Sequence, residues 1–272
     1  MRLGVLLALV IGLVPAWVQA KDTVGLVGLK TSDQARAWEA VGRVNLTGTG
    51  FCTGALIAPQ LVLTAAHCMF DKNTGQRIAI DKIEFLAGWR SGRAAAQRNA
   101  KRVMINKDYR YKNEKRLDRV AADIALIELD APINNTRILP FDWADRPAIG
   151  QQVQVVSYAK DREDAPSMEE SCRVLGKNPS VLVLSCHVNF GASGAPIFVM
   201  QNGVPRIASV VSAKAEWNNQ KVALGASLGL PLEELIAELN ASAGSFQKVE
   251  SVSSNLSGLT GSGQASTKFK KP

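Results

Sequence analysis

Twelve short apolar segments, separated by clusters of Gly, Asn, Asp and Pro, constrain the fold of this chain more than any other feature. They are rich in Val, Ile and Leu, and such segments predict an all-β sandwich or barrel. Six precede residue 140 and six follow it, which fits two six-stranded barrels. The predicted strands are Ala40–Leu46, Gly50–Ile57, Leu61–Ala65, Arg77–Trp89, Arg102–Asn106, Ile124–Leu129, Val153–Tyr158, Cys172–Leu175, Val181–Val188, Pro196–Met200, Ile207–Ser212 and Val222–Leu228.

Composition along the chain predicts the domain organisation. The segment from Asp142 to Gly150 is expected to connect the two barrels. Leucines at a spacing of three to four residues, with Pro231 in the first turn, predict a helix over Pro231–Leu239. From Ala241 the chain turns to Ser, Gly and Thr, which is typical of disorder. The predicted units are a leader (1–20), an N-terminal barrel (21–140), a C-terminal barrel with helix (141–240) and a disordered tail (241–272).

The first twenty residues have the pattern of a secretory signal. Arg2 provides a positive start, Leu3–Val14 an apolar centre, and Val18-Gln19-Ala20 a small-residue cleavage site. This run is too short and wrongly flanked for a membrane span. The sequence therefore predicts export, either to a periplasm or to the medium.

Four cysteines in an exported chain favour two disulfides over a zinc site. They are Cys52, Cys68, Cys172 and Cys186. Four cysteines permit three pairings, and their positions in the sequence do not choose among them.

The chain is basic, with a formal net charge of +8, and much of the excess lies between Arg98 and Arg119. That segment holds nine Lys and Arg residues, with Tyr109 and Tyr111 among them. Basic residues mixed with aromatic ones can bind polyanions or anionic membrane surfaces. The alternative is a solvated loop that leads into the following strand, and for an exported protein no nucleic-acid partner is expected.

Three short segments carry residues suited to nucleophilic catalysis. His67 lies within Thr64-Ala65-Ala66-His67-Cys68, Asp123 precedes the apolar run 124–129, and Ser193 is flanked by Gly191 and Gly194. A serine hydroxyl is a poor nucleophile and needs a base within hydrogen-bond reach, which a histidine can supply. A carboxylate beside an apolar run is costly to bury unless it has a partner such as a histidine N–H.

This order of histidine, aspartate and serine resembles that of the chymotrypsin-like proteases. The chain is similar to bacterial secreted serine endopeptidases of the trypsin/chymotrypsin clan, near the glutamyl endopeptidase branch, over about residues 35–240. The resemblance implies two six-stranded antiparallel Greek-key barrels with a C-terminal helix. It also implies a Cys52–Cys68 disulfide, which leaves Cys172 to pair with Cys186.

The same resemblance implies the roles of the site residues. Ser193 would be the nucleophile, His67 the general base and Asp123 the carboxylate that orients it. The backbone N–H groups of Gly191 and Ser193 would form the oxyanion hole.

The sequence departs from the animal trypsin-like pattern immediately before the serine. The aspartate that pairs there with a new N-terminal amine is replaced by Ala192, and the region near Val24 lacks the usual activation site. Activity is therefore expected not to depend on burying a new N-terminal ammonium.

A second departure concerns specificity. Six residues before the serine, where trypsin-like enzymes carry a selective aspartate, this chain has His187. His187, Ser212 and Lys214 are possible lining residues of the specificity pocket, and they suggest tolerance of acidic or polar side chains. Against this, Ala213 stands near the position where glutamyl endopeptidases have a histidine. Alternatively, His187 merely follows Cys186 in a buried hairpin.

The sequence therefore predicts a monomeric serine endopeptidase that acts on proteins or peptides without a cofactor or metal. The alternatives are a non-catalytic binding protein on the same scaffold and a surface-binding protein that uses segment 98–119. A metal enzyme is disfavoured, because two histidines and oxidised cysteines leave few ligands.

Overall fold

The computed structural model of the protein describes residues 26–247, and the predicted leader and most of the predicted tail lie outside this range. The first half of this range forms a closed barrel of six antiparallel strands. Around the barrel the strand order is β2-β3-β4-β7-β6-β5. Its strands are β2 (Val41–Leu46), β3 (Gly50–Ala58), β4 (Leu61–Thr64), β5 (Ile83–Ala87), β6 (Ala96–Ile105) and β7 (Ala125–Leu129).

The second half closes in the same way, because β8 pairs with both β9 and β11. A short strand, β1 (Val27–Gly28), adds to the free side of β9. The six strands of this C-terminal barrel are β8 (Gln152–Ala159), β9 (Arg162–Lys177), β10 (Val181–Leu184), β11 (Pro196–Gln201), β12 (Val204–Trp217) and β13 (Gln220–Ser227). The predicted fold class is confirmed.

Individual elements differ from the sequence prediction in length. β9 spans sixteen residues where four were predicted, because its polar first half pairs with β8 in a long hairpin. Segment 77–82 is not a strand. Two short helices were not predicted, α1 (Ser32–Ala35) and α2 (Arg116–Ala121).

The C-terminal helix, α3 (Gly229–Gln247), extends beyond the predicted end at Leu239. Its added turns contain alanines and no proline, and alanine is the strongest helix former. Composition alone therefore placed the end of the helix too early. Leu232 and Leu235 of α3 are buried in the core, and Glu234 pairs with Lys107 at 3.0 Å.

Both disulfides expected from the resemblance are present. Cys52 on β3 joins Cys68, and Cys172 on β9 joins Cys186. The first holds the turn after β4 against β3, and the second holds the segment that leads towards Ser193 against β9.

The barrels meet around an aromatic cluster of Trp38, Phe141 and Phe198. The Trp38 and Phe198 rings lie 5.0 Å apart, and those of Phe141 and Phe198 4.7 Å. Burial of rings of this size gives the interface a large hydrophobic stabilisation. The interface therefore fixes one barrel relative to the other, and residues from both can form one site.

The basic segment 98–119 does not form one continuous surface. Lys101 and Arg102 pair with Glu128 on the neighbouring strand, and Tyr109 is buried against Phe70. Polyanion or membrane-surface contact through this segment stays a prediction. Within residues 26–247, no helix is long and apolar enough to cross a membrane.

Candidate active site

The pairing of β4 with β7 brings His67 and Asp123 together. The two strands are antiparallel, and Thr64 at the end of β4 lies opposite Ala125 at the start of β7. His67 follows Thr64 in a 3₁₀ turn (Ala66–Met69), and Asp123 lies two residues before Ala125. The pairing of these two strands thus brings together two residues that are 56 positions apart in the sequence.

Asp123 holds His67 through two hydrogen bonds. Its Oδ1 accepts the His67 backbone N–H at 2.8 Å, and its Oδ2 lies 2.7 Å from the ring Nδ1. The carboxylate is almost fully buried, so both bonds form in a medium that strengthens them. The ring can therefore keep only one orientation, with Nδ1 directed to Asp123 and Nε2 directed away from it.

The pKa of His67 reflects opposing influences. Burial alone lowers the pKa of the imidazole, but the Asp123 charge and its hydrogen bond raise it. The charge of Arg119 lowers it. The net result is a His67 pKa raised above its ordinary value.

Ser212 is a third partner of the pair. Its hydroxyl donates to Oδ2 of Asp123, the same oxygen that faces the His67 ring. Ser212 lies on β12, so this bond ties the C-terminal barrel to the pair held by the N-terminal one. The sequence analysis predicted that Ser212 lines the specificity pocket, and the structure adds its hydrogen bond to Asp123.

Ser193 lies in the turn between β10 and β11, and the buried Thr53 attaches that turn to the N-terminal barrel. The Thr53 backbone N–H donates to the Ser193 carbonyl at 2.9 Å, and its hydroxyl to the Gly191 carbonyl at 2.8 Å. The Thr64 hydroxyl donates to the Thr53 carbonyl at 2.9 Å. The position of Ser193 therefore depends on contacts between the barrels.

Glycine is required on both sides of the serine. Gly191 has φ +94°, and a Cβ there would lie 2.4 Å from the Phe51 ring. Gly194 has φ +77°, and a Cβ there would lie 2.2 Å from Thr64 Oγ1 and 2.4 Å from the Thr53 carbonyl oxygen. Any larger residue would push the turn away from β3.

The backbone of this turn presents two N–H groups. Within the described residues, neither the Gly191 nor the Ser193 N–H donates to a protein acceptor. The Phe190 carbonyl accepts the Lys160 N–H at 2.7 Å. Because C=O and N–H point in opposite directions across a trans peptide, the Gly191 N–H is directed away from Lys160. Ala192, in place of an aspartate, is fully buried.

Three cavities border Ser193 or His67. The Lys214 pocket is about 170 Å³ and is lined by Val188, Asn189, Phe190, Ser193, Val211, Ser212, Ala213 and Lys214. The Arg119 pocket is about 300 Å³ and is lined by His67, Tyr109, Tyr111, Arg119, Val120, Asp123, Ser212 and Ala213. The Lys160 groove is about 610 Å³ and is lined by Leu46, Thr49, Gly50, Phe51, Cys52, His67, Cys68, Phe70, Lys72, Tyr111, Lys160, Phe190, Gly191 and Ser193.

The Lys214 pocket contains two of the three residues predicted to set specificity. Lys214 Nζ lies 3.3 Å from Asn189 Oδ1 and 4.5 Å from the centre of the Phe190 ring. His187 lies outside this pocket, because its ring bonds Glu169 on β9 at 2.9 Å. The ungapped count from Ser193 found the right segment, but the side chain turns away.

Sequence reasoning missed several residues that shape the site. Thr53 connects the barrels, Thr64 holds Thr53 within the first barrel, and Arg119 lines the pocket beside His67. A faint signal existed, since both threonines lie in otherwise apolar strands, where a hydroxyl needs a partner.

The structure thus has two closed β-barrels, with a histidine–aspartate pair on the first and a glycine-flanked serine on the second. This arrangement defines the class of the protein as a double β-barrel. The sequence profile of the family described as Trypsin matches residues 28–226. The chain therefore belongs to the trypsin family.

Individual relatives are consistent with this family. The glutamyl endopeptidase of Bacillus licheniformis is 25% identical over 171 residues, which are 62% of this chain and 51% of that protein. The chain thus spans about half the length of this relative. A solved structure of a Glu endopeptidase in complex with MPD has the same fold, with a TM-score of 0.65 and 21% identity. That likeness covers 80% of this chain and 99% of the other.

Proposed function

We propose that the protein is a serine endopeptidase that cleaves peptide bonds through an acyl-enzyme on Ser193. The observation that carries the proposal is the two-point grip of Asp123 on His67, with Ser193 bordering the same groove as the imidazole. The grip leaves Nε2 of His67 as the ring atom available to a substrate or nucleophile.

In the proposed first half-reaction, Ser193 Oγ attacks the carbonyl carbon of the scissile bond. Nε2 of His67 takes the hydroxyl proton, and Asp123 stabilises the imidazolium that forms. The negative charge that develops on the carbonyl oxygen is stabilised by the N–H groups of Gly191 and Ser193. Donors of this type contribute about 3–4 kcal/mol each to stabilising the transition state.

The first half-reaction ends when the C–N bond breaks and the imidazolium gives its proton to the leaving amine, which leaves the acyl-enzyme. Water then attacks the acyl-enzyme, with His67 again as the base, and Ser193 is regenerated. Every proton moves between Oγ, Nε2, water and the amine, so the proposed cycle needs no cofactor.

For the residue before the scissile bond, we propose an acidic or polar side chain in the Lys214 pocket. Lys214 Nζ and the Asn189 amide are the polar groups at its exposed side, and no carboxylate from the described part of the chain lines it. This agrees with the name of the glutamyl endopeptidase relative. The proposed substrates are therefore proteins or peptides, and the two disulfides fit an exported enzyme.

The first test is labelling of the purified, oxidised protein with a fluorophosphonate probe, beside a Ser193→Ala variant. Labelling of the wild type alone would support an activated serine and a preformed oxyanion hole. An absence of labelling in the folded protein would overturn the proposal and favour the binding-protein alternative. Peptides varied at the residue before the bond then test the Lys214 pocket.

A further inference from the structure

The Lys160 groove and the Lys214 pocket both border Ser193. One wall comes from the N-terminal barrel, with Phe51 and the Cys52–Cys68 disulfide, and the other from Lys160 and Phe190. Phe190 also lines both cavities. A chain bound across Ser193, with one side in the Lys214 pocket, would therefore run out through this groove.

The charged side chains of the groove, apart from His67, are two lysines. Within the described residues, neither Lys72 nor Lys160 forms an ion pair or a side-chain hydrogen bond. Lys101 and Lys107, by contrast, pair with Glu128 and Glu234 at 3.0 Å. The two groove lysines thus offer charge to a ligand.

Among residues 26–247, no carboxylate lines the groove. Asp71, next to Lys72, accepts the backbone N–H groups of Asn73 and Thr74, each at 2.8 Å, and so serves its own loop. Asp161, next to Lys160, is exposed in the turn between β8 and β9.

Four Phe and Tyr rings line the groove together with the lysines. Phe70 and Tyr111 stack with their centres 5.1 Å apart, and Phe190 is 71% exposed. An exposed ring of this size beside a reactive serine is suited to an apolar ligand group. The groove therefore combines an apolar surface with two cationic side chains.

We propose that the Lys160 groove binds the substrate segment beyond the scissile bond, and that this segment is apolar near the bond and acidic after it. Charge complementarity with Lys72 and Lys160 carries the acidic part, and the rings carry the apolar part. The inference rests on the proposed endopeptidase activity. Lys214 gives its pocket the same sign of charge, whereas Arg119 shares its pocket with the buried Asp123.

Two internally quenched peptides test the proposal. They share every residue up to the bond and a Phe after it, and then carry either Glu-Glu or Gln-Gln. For the wild type at low salt, we expect kcat/KM to be about tenfold higher for the acidic peptide, from two partly solvated ion pairs. The ratio should fall as ionic strength rises, because salt screens exposed charges.

A double variant locates the preference. In Lys72→Gln/Lys160→Gln, the acidic-to-neutral ratio should fall to about two or less, because both ion pairs are lost. The matched control is Lys30→Gln/Lys221→Gln, which removes the same charge from exposed positions outside the three cavities. It should keep the wild-type ratio. Thermal unfolding of both variants checks that each is folded.

The outcomes separate this inference from the proposed function. If neither peptide is cleaved and the fluorophosphonate probe does not label Ser193, the endopeptidase proposal itself fails. If both peptides are cleaved equally well by the wild type, the activity stands and the acidic preference is wrong. If the preference survives in the lysine double variant, it arises outside the Lys160 groove and the assignment is overturned.

Discussion

Both histidines of this chain are gripped by a buried carboxylate in the same way. Asp123 accepts the His67 backbone N–H at 2.8 Å and faces its Nδ1 at 2.7 Å. Glu169 accepts the His187 backbone N–H at 2.7 Å and faces its Nδ1 at 2.9 Å. The two carboxylate side chains are 3% and 4% exposed.

The two pairs differ in what surrounds them. The His67 side chain is 28% exposed and borders two cavities, whereas that of His187 is 78% exposed. Asp123 also accepts the Ser212 hydroxyl, while in the described part of the chain no hydroxyl bonds to the second pair. Two hydrogen bonds to a buried carboxylate thus fix the orientation of the imidazole in both places. In the proposed mechanism only the His67 pair takes part in catalysis, because Ser193 lines the same groove as His67.

The largest expected effect comes from neutralising the two carboxylates separately. Asp123→Asn should lower kcat by about 10⁴-fold, because the amide no longer holds the useful tautomer or stabilises the imidazolium. Glu169→Gln should lower it by less than about threefold, since the second pair lies outside the three cavities. Steady-state kinetics on one peptide measures both variants. Comparable losses of kcat in the two variants would show that the two histidine–carboxylate pairs do not differ in function.

The pH profile sharpens the same comparison. His67 accepts a proton only when neutral, so activity rises with pH through its pKa, and Asp123 raises that pKa. The residual activity of Asp123→Asn should therefore show an acidic limb at lower pH than the wild type. The acidic limb of Glu169→Gln should coincide with that of the wild type.

A smaller effect is expected from the hydroxyl that only the first pair has. Ser212→Ala should lower kcat by about tenfold, the size expected for one hydrogen bond to a buried charged group. Ser209→Ala is the matched control, because Ser209 is buried on the same strand but donates to the Ala226 carbonyl at 2.6 Å. The Ser209→Ala variant is expected to keep a kcat near the wild-type value, even where its unfolding temperature falls. A tenfold loss of kcat in this control would contradict the specific role of Ser212.

Arg119 should produce a shift in pH dependence with little loss of maximal rate. Its charge opposes the imidazolium, so Arg119→Gln should raise the His67 pKa further and move the acidic limb of kcat/KM to higher pH. Arg119→Lys keeps the charge and should keep the wild-type limb. The measurement belongs at low ionic strength, where screening is weak. A downward shift in the glutamine variant would contradict this electrostatic reading.

The smallest effect is expected at the exposed imidazole. His187→Asn should change the free energy of unfolding by at most about 1 kcal/mol, as for other exposed pairs, and leave kcat near its wild-type value. Denaturant unfolding and peptide kinetics measure the two quantities. A large loss of kcat would bring His187 back as a residue of the site.

Local features of the sequence predicted much of this molecule. Short apolar segments predicted the barrels, and the motifs around His67, Asp123 and Ser193 predicted the candidate site. His67 and Asp123 meet through the pairing of two strands that were both predicted. The disulfides came from the resemblance, because four cysteines alone left three pairings open.

The features that the sequence did not predict depend on contacts between distant parts of the chain. Thr53 reaches Tyr158 and Gly191 across separations of 105 and 138 residues. The sequence prediction placed His187 in the specificity pocket. Its ring instead bonds Glu169, which lies in a part of β9 that the apolar pattern did not predict to be a strand. The Lys160 groove likewise combines loops from both barrels.

The seam between the barrels also has a kinetic consequence. His67 and Asp123 belong to the first barrel, whereas Ser193 and Ser212 belong to the second, and Thr53 joins the halves. Each barrel could acquire its strands during refolding while the protein remained inert. The rate at which Ser193 becomes reactive towards a fluorophosphonate would then report docking of the halves, separately from the secondary structure that circular dichroism follows. If the proposed mechanism holds, a half-assembled molecule would not cleave its neighbours, because the proposed catalytic residues come from both barrels.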